Sequence, residues 1–101
     1  MSGLFTSVEA QQAVLQLPCV LADDELGELD FWFVEPTGHS DTDVALGEQC
    51  AGMCLALARK FQMPLLIAIV LRDMTRAGKF TGVEAGFVAR IASAARVGSF
   101  N

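Results

Sequence analysis

The stretch TDVALGEQCAGMCLALARKF, residues 42–61, decides the fold of this chain. Its larger apolar side chains recur at steps of three and four residues, which places them on one helical face: Leu46, Cys50, Met53, Leu57 and Phe61. A second row contains only small side chains: Gly47, Ala51, Cys54 and Ala58. Small side chains let another backbone approach closely. The pattern therefore predicts a central helix over residues 42–62 that is covered by other elements.

Two further helices are predicted from nearly identical openings: FTSVEA at residues 5–10 and FTGVEA at residues 80–85. In each opening a threonine is followed three residues later by a glutamate, which is the capping-box pattern of a helix start. The first helix is expected to start at Thr6 and to end near Leu17, because Pro18 disfavours helical geometry in the residue before it. The last helix is expected to end at Gly98.

The apolar segment that follows the central helix has two interpretations. We predict a helix from Pro64 to about Ala77, since proline suits the first position of a helix and Gly78 suits the position after its end. The branched side chains of residues 64–71 leave an alternative open, in which this segment is a buried strand in a small α/β layer.

A short β-hairpin is predicted before the central helix, from residues 19–22 and 29–34. Alternation along residues 29–34 predicts two faces: Leu29, Phe31 and Phe33 on one, and Asp30, Trp32 and Val34 on the other. We expect one face to join the core, and the Trp32 face to be covered by another element or by a second subunit. Phe31, Trp32 and Val34 are therefore the residues expected at an interface.

These elements predict a single α+β domain over residues 1–101, with about four helices packed against one short hairpin. Apolar residues make up 52% of the 101 residues. A chain this short has a high surface-to-volume ratio and buries such a fraction poorly by itself. Because exposed apolar surface commonly marks a partner, we expect a homo-oligomer, most simply a homodimer.

The charged residues are divided between the two halves of the chain. Residues 1–50 contain no Lys or Arg but ten acidic residues: Glu9, Asp23, Asp24, Glu25, Glu28, Asp30, Glu35, Asp41, Asp43 and Glu48. All seven basic residues follow: Arg59, Lys60, Arg72, Arg76, Lys79, Arg90 and Arg96. Either the two halves neutralise one another, or the acidic half is offered to a basic protein partner, including the basic half of another copy. The net charge of −5 disfavours nucleic-acid binding.

Three cysteines, Cys19, Cys50 and Cys54, form an odd set without the spacing of a disulfide scaffold or a zinc site. We expect them to pack as small apolar side chains. The opening residues MSGLFTSVEA lack the basic start and apolar core of an export signal, and residues 63–71 are too few to span a bilayer. These features favour a cytoplasmic protein that does not enter a membrane.

His39, Asp41 and Asp43 form an H-x-D-x-D run and are the candidate ligand site of the sequence. Carboxylate oxygens suit Mg²⁺ or Ca²⁺, and the imidazole of His39 suits a general base. Helix capping explains the same run, because Ser40 and Asp43 have the spacing of a capping box. We therefore assign no catalytic residue, metal or cofactor from the sequence.

Together the patterns predict a small non-enzymatic protein–protein interaction or regulatory module. It is expected to be homodimeric, with its acidic N-terminal half as the partner surface. The alternative is a small ligand- or metal-binding enzyme that uses the loop containing His39, Asp41 and Asp43.

Overall fold

A computed structural model of the protein describes residues 7–23 and 28–96. The elements, in chain order, are α1 (Val8–Leu15), β1 (Leu21–Asp23), β2 (Glu28–Asp30), α2 (Ser40–Lys60), α3 (Leu65–Ala77) and α4 (Gly82–Arg96). Four helices dominate the structure, and each strand has only three residues. The fold is therefore mostly helical, and the predicted α+β class describes it loosely. One cluster of buried side chains draws residues from all four helices.

The central helix is confirmed, with α2 beginning two residues earlier than predicted and ending at Lys60. The row of small side chains is its buried face, since Gly47, Ala51, Cys54 and Ala58 are all buried. The row of larger side chains is less covered than expected. Cys50 is buried, whereas Met53 is partly exposed. The small residues therefore decide which side of α2 receives another helix.

That helix is α4, and two glycines permit its close approach. A Cβ atom added at Gly47 would overlap the carbonyl oxygen of Val83, and one added at Gly86 would overlap the carbonyl oxygen of Val44. The contact is thus reciprocal, with a glycine of each helix against the backbone of the other. No side chain larger than hydrogen fits at either position without moving the backbones apart.

The two predicted capping boxes have different outcomes. At α4 the prediction is confirmed, because Glu84 Oε1 accepts hydrogen bonds from Thr81 N at 2.6 Å and from Thr81 Oγ1 at 2.5 Å. At α1 the capping residue is Ser7, whose Oγ accepts from Ala10 N at 3.1 Å. The predicted cap Thr6 lies outside the described residues, as does Gly98 at the expected end of α4. The first helix ends at Leu15, two residues earlier than expected.

The helix predicted from Pro64 is confirmed, and the alternative of a buried strand is wrong. Pro64 directly precedes α3 with helical backbone angles, φ −62° and ψ −25°. Gly78 follows the helix with φ 70°, a left-handed conformation that glycine adopts without strain. The buried positions, Leu66, Ile67, Val70 and Met74, follow helical spacing.

The hairpin is shorter than predicted. Its strands pair antiparallel, with Leu21 opposite Asp30. The strand expected over residues 29–34 ends at Asp30, whose Oδ1 accepts a 3.0 Å hydrogen bond from Trp32 N. This local turn breaks the alternation, so Phe31 and Trp32 are both buried although they are adjacent in sequence.

Within the described residues, no helix is both long and apolar enough to cross a bilayer.

Candidate functional site

Three carboxylates, one from each of the long helices, hold the segment between the hairpin and α2. Asp73 Oδ2 of α3 accepts from Phe31 N at 3.0 Å. Glu84 Oε2 of α4 accepts from Trp32 Nε1 at 2.7 Å. Asp43 Oδ1 of α2 accepts from both the amide and the hydroxyl of Thr37 at 2.8 Å. This segment therefore has a fixed course over the helices without being a strand.

Of these three acids, Glu84 accepts hydrogen bonds from the largest number of donor atoms within the described residues. Its residue is only 3% exposed. Burial alone would raise its pKa, but the hydrogen bonds from the side chain and backbone of Thr81 and from Trp32 outweigh burial and lower the pKa below the ordinary 4.5. The Trp32 ring also meets the Phe87 ring edge-on, with centroids 5.0 Å apart and an interplanar angle of 74°. Glu84 is thus an ionised group inside the fold, satisfied by three donors.

In the structure, the side chain of Asp43 is separated from those of His39 and Asp41, the other two residues of the predicted ligand site. The carboxylate of Asp43 is turned inward to Thr37, whose backbone and hydroxyl hydrogen bonds lower the pKa of Asp43 below the ordinary 3.8. His39 and Asp41 are exposed, and His39 N donates to Thr37 Oγ1 at 3.1 Å. Within residues 7–23 and 28–96, no group of three or more His, Cys, Asp or Glu residues is arranged to hold a metal ion. The three residues therefore do not converge on one point.

The capping box predicted at Ser40 and Asp43 is also corrected. Ser40 is the first residue of α2, and the residue before it is His39, which forms no side-chain capping bond. Asp43 reaches back six residues to Thr37 instead of capping through Ser40. Ser40 and Asp43 have the spacing of a capping box, but the carboxylate of Asp43 accepts its hydrogen bonds from Thr37.

Two of the three residues expected at an interface, Phe31 and Trp32, are buried within the fold. Trp32 is 4% exposed and Phe31 is also buried, so α4 and α3 of the same chain cover them. Val34 is half-buried against the core. The exposed member of this segment is Phe33, at 48%. The structure therefore shows Trp32 covered by another element of the same chain, so its ring is not exposed to a second subunit.

Cys19 is brought together in the core with Cys50 and Cys54 of α2, from which it is distant in sequence. Cys19, Cys50 and Cys54 are free thiols and fully buried. A hydrogen bond with Cys50 lowers the pKa of Cys19, but a bond with Cys54 and burial outweigh it and raise this pKa to about 12. The hydrogen bond to Cys19, followed by burial, raises the pKa of Cys50 as well. The thiols of Cys19 and Cys50 are therefore protonated near neutral pH, and all three buried cysteines pack as small apolar side chains.

Between the described residues of the acidic half and those of the basic half, no ion pair forms. Among the described residues the two ion pairs both use Asp73, with Arg72 at 3.1 Å and Arg76 at 3.9 Å, and all three residues lie in the second half. Several acidic side chains of the first half are exposed: Glu9, Asp30, Glu35, Asp41 and Glu48. All seven basic residues are exposed too. Opposite charges thus remain available on the surface.

Phe80, which the sequence patterns did not single out, is the most exposed aromatic residue of the described chain, at 70%. It directly precedes Thr81, the position from which an apolar residue commonly packs against the first turns of a helix. Its counterpart in α4 is Ala85, which is too small to cover a phenylalanine ring. That mismatch is the signal by which an exposed Phe80 is recognisable from sequence.

Comparison of the chain with protein-family models, with curated proteins and with solved structures finds no match. Two features stand out: exposed charges of opposite sign in the two halves, and exposed large apolar residues such as Val8, Leu65 and Phe80.

Proposed function

We propose that this protein is a small non-enzymatic interaction module that acts as a homodimer, with the acidic first half of one copy against the basic second half of another. The observation that carries the proposal is the separation of charge. Exposed acids of residues 1–50 and exposed bases of residues 59–96 form no ion pairs with each other within the described chain. A second copy offers both complements at once.

Charge separation favours this partner for a physical reason. Complementary potentials steer two surfaces together and suppress mismatched orientations, whereas like charges placed in contact cost free energy. Two copies related by a two-fold axis can satisfy both halves simultaneously, because each interface residue occurs twice. A basic protein of another kind would complement only the acidic half and would repel the basic half.

Exposed apolar side chains support the same proposal. The larger ones are Val8, Leu15, Leu21, Phe33, Met53, Leu65, Phe80 and Val88. Single exposed apolar residues are normal in a folded protein, but eight among residues 7–23 and 28–96 are a substantial unburied area. Burying some of them against a second copy would supply the hydrophobic part of the association.

The acidic residues inside the fold support a non-enzymatic role. General acid–base catalysis works best with a group whose pKa lies near the working pH. The pKa values of Asp43 and Glu84 are shifted away from neutrality, and their oxygens accept hydrogen bonds from donors of the chain itself. Both groups therefore fit a structural task.

Light scattering across a salt series tests the proposal. At about 0.01 M salt the Debye length is about 30 Å, and at about 1 M it is about 3 Å. We expect a dimer at low salt and progressive dissociation toward the 10.8 kDa chain as salt rises. Circular dichroism at each salt concentration checks that the chain remains folded. A particle of one chain throughout the series contradicts the proposal.

A further inference from the structure

Glu84 connects two exposed phenylalanines through their neighbours. Its Oε2 accepts from the indole of Trp32, and Trp32 is followed by Phe33. Its Oε1 accepts from Thr81, and Thr81 is preceded by Phe80. The backbones at residues 32 and 81 are therefore no farther apart than one indole and one glutamate side chain can reach. Phe33 and Phe80, the chain neighbours of Trp32 and Thr81, are 48% and 70% exposed.

Each phenylalanine has an exposed charge beside it. Glu35 follows Phe33 by two residues, and the two define the acidic patch. Lys79 directly precedes Phe80, and the two define the basic patch. Neither Glu35 nor Lys79 forms an ion pair or a side-chain hydrogen bond with any other residue of the described ranges. Two patches of opposite sign, each with an aromatic ring, are thus carried by segments that Glu84 holds close together.

We propose that these patches form the contact between two copies, the acidic patch of each copy meeting the basic patch of the other about a two-fold axis. The inference rests on the proposed homodimer and deepens it by naming the surface. A two-fold interface must complement itself, which requires both patches on one face of the chain. The link through Glu84 holds residues 32 and 81 close together, and on this proximity we place both patches on one face.

A second copy fits these patches better than other partners do. A surface of uniform negative charge, such as a nucleic acid or an anionic membrane, would approach Lys79 but be repelled by Glu35 nearby. A uniformly basic protein meets the reverse conflict. Aromatic side chains such as those of Phe33 and Phe80 are also enriched at the core of protein interfaces.

Charge reversal tests the inference. We expect Glu35→Lys and Lys79→Glu each to weaken the dimer by at least about tenfold in dissociation constant at low salt, because each creates two repulsive contacts per dimer. In an equimolar mixture of the two variants, the reversed acidic patch of one meets the reversed basic patch of the other. We therefore expect the mixture to recover most of the lost affinity, measured by sedimentation equilibrium.

The matched controls are Glu48→Lys and Arg90→Glu, which make the same charge changes at exposed positions outside the patches. We expect both to stay within about threefold of the unmodified chain. If Glu35→Lys and Lys79→Glu dimerise as well as the controls, the patch assignment is overturned while the homodimer stands. Failure of the mixture to recover affinity also overturns it. A monomeric unmodified chain would instead overturn the proposed function itself.

Discussion

The indole Nε1 of Trp32 donates a 2.7 Å hydrogen bond to Oε2 of Glu84, which lies 52 residues away in sequence and is buried. The other oxygen of the same carboxylate caps the first turn of α4 through Thr81. One side chain therefore joins the start of a helix to the segment that follows the hairpin. The exposed residues Phe33 and Phe80 are the chain neighbours of the two residues that this side chain joins.

Replacing Glu84 with Gln should destabilise the fold by about 2–3 kcal/mol. An amide offers only one oxygen, so its NH₂ group would face either Trp32 or Thr81, both of which donate. The measurement is urea unfolding followed by the fluorescence of the single tryptophan, at fixed chain concentration. Glu48→Gln, at an exposed position of α2, is the control and should change stability by less than about 0.5 kcal/mol. Equal effects of the two changes would refute a special role for Glu84.

The stability of the protein should decrease in acid because of Asp43 and Glu84. Both carboxyls have folded-state pKa values below their ordinary values of 3.8 and 4.5. Between the folded and ordinary pKa values the unfolded chain binds more protons, so the free energy of unfolding rises with pH there. We expect a level free energy of unfolding above about pH 5.5 and a decrease as pH falls through the folded pKa values.

Urea unfolding at a series of pH values measures this dependence, with Glu84→Gln as the comparison. The variant should show a shallower decrease, because one of the two titrating groups is gone. A profile that stays level down to about pH 3 in the unmodified chain would contradict the assigned pKa directions.

The close contact of α2 and α4 predicts opposite effects for two glycine-to-alanine changes on one helix. Gly47→Ala should destabilise by more than about 2 kcal/mol, because its methyl group would overlap the backbone of Val83. At Gly52 an added Cβ meets nothing within 4 Å. Gly52→Ala should therefore stabilise α2 by about 0.5–1 kcal/mol, since alanine favours helices. Thermal unfolding monitored by circular dichroism distinguishes the two, and a tolerated Gly47→Ala would disprove the packing.

The cysteines should be inert in the folded protein. Cys19, Cys50 and Cys54 are buried, and the pKa values of Cys19 and Cys50 are raised, so little thiolate forms near neutral pH. A thiol-reactive dye should label none of them rapidly under native conditions and all three after unfolding in urea. Rapid labelling of any thiol in the native protein would show that the core is more open than described.

Helices were predictable from the sequence because their signals are local. The small residues of α2 recur at helical spacing, and Pro64 and Gly78 mark the limits of α3. The capping box of α4 needs only Thr81 and Glu84. Each signal lies within a few residues of the feature that it specifies.

The errors arose where distant residues compete with local patterns. LDFWFV alternates as a strand does, yet Asp73 takes the amide of Phe31 and Glu84 takes the indole of Trp32. Neither acid has a local sequence relationship to these partners. The local pattern around Asp43 likewise predicts a helix cap or a metal ligand, but its carboxylate accepts from Thr37, six residues upstream. The candidate contact surface depends on these long-range bonds and was therefore not predictable from spacing.

The most direct measurement is the mass of the unmodified chain by sedimentation equilibrium at low salt, over a series of concentrations. If the exposed charges of the two halves pair between copies, the mass should approach twice 10.8 kDa as concentration rises. A mass of 10.8 kDa at every concentration would contradict the account.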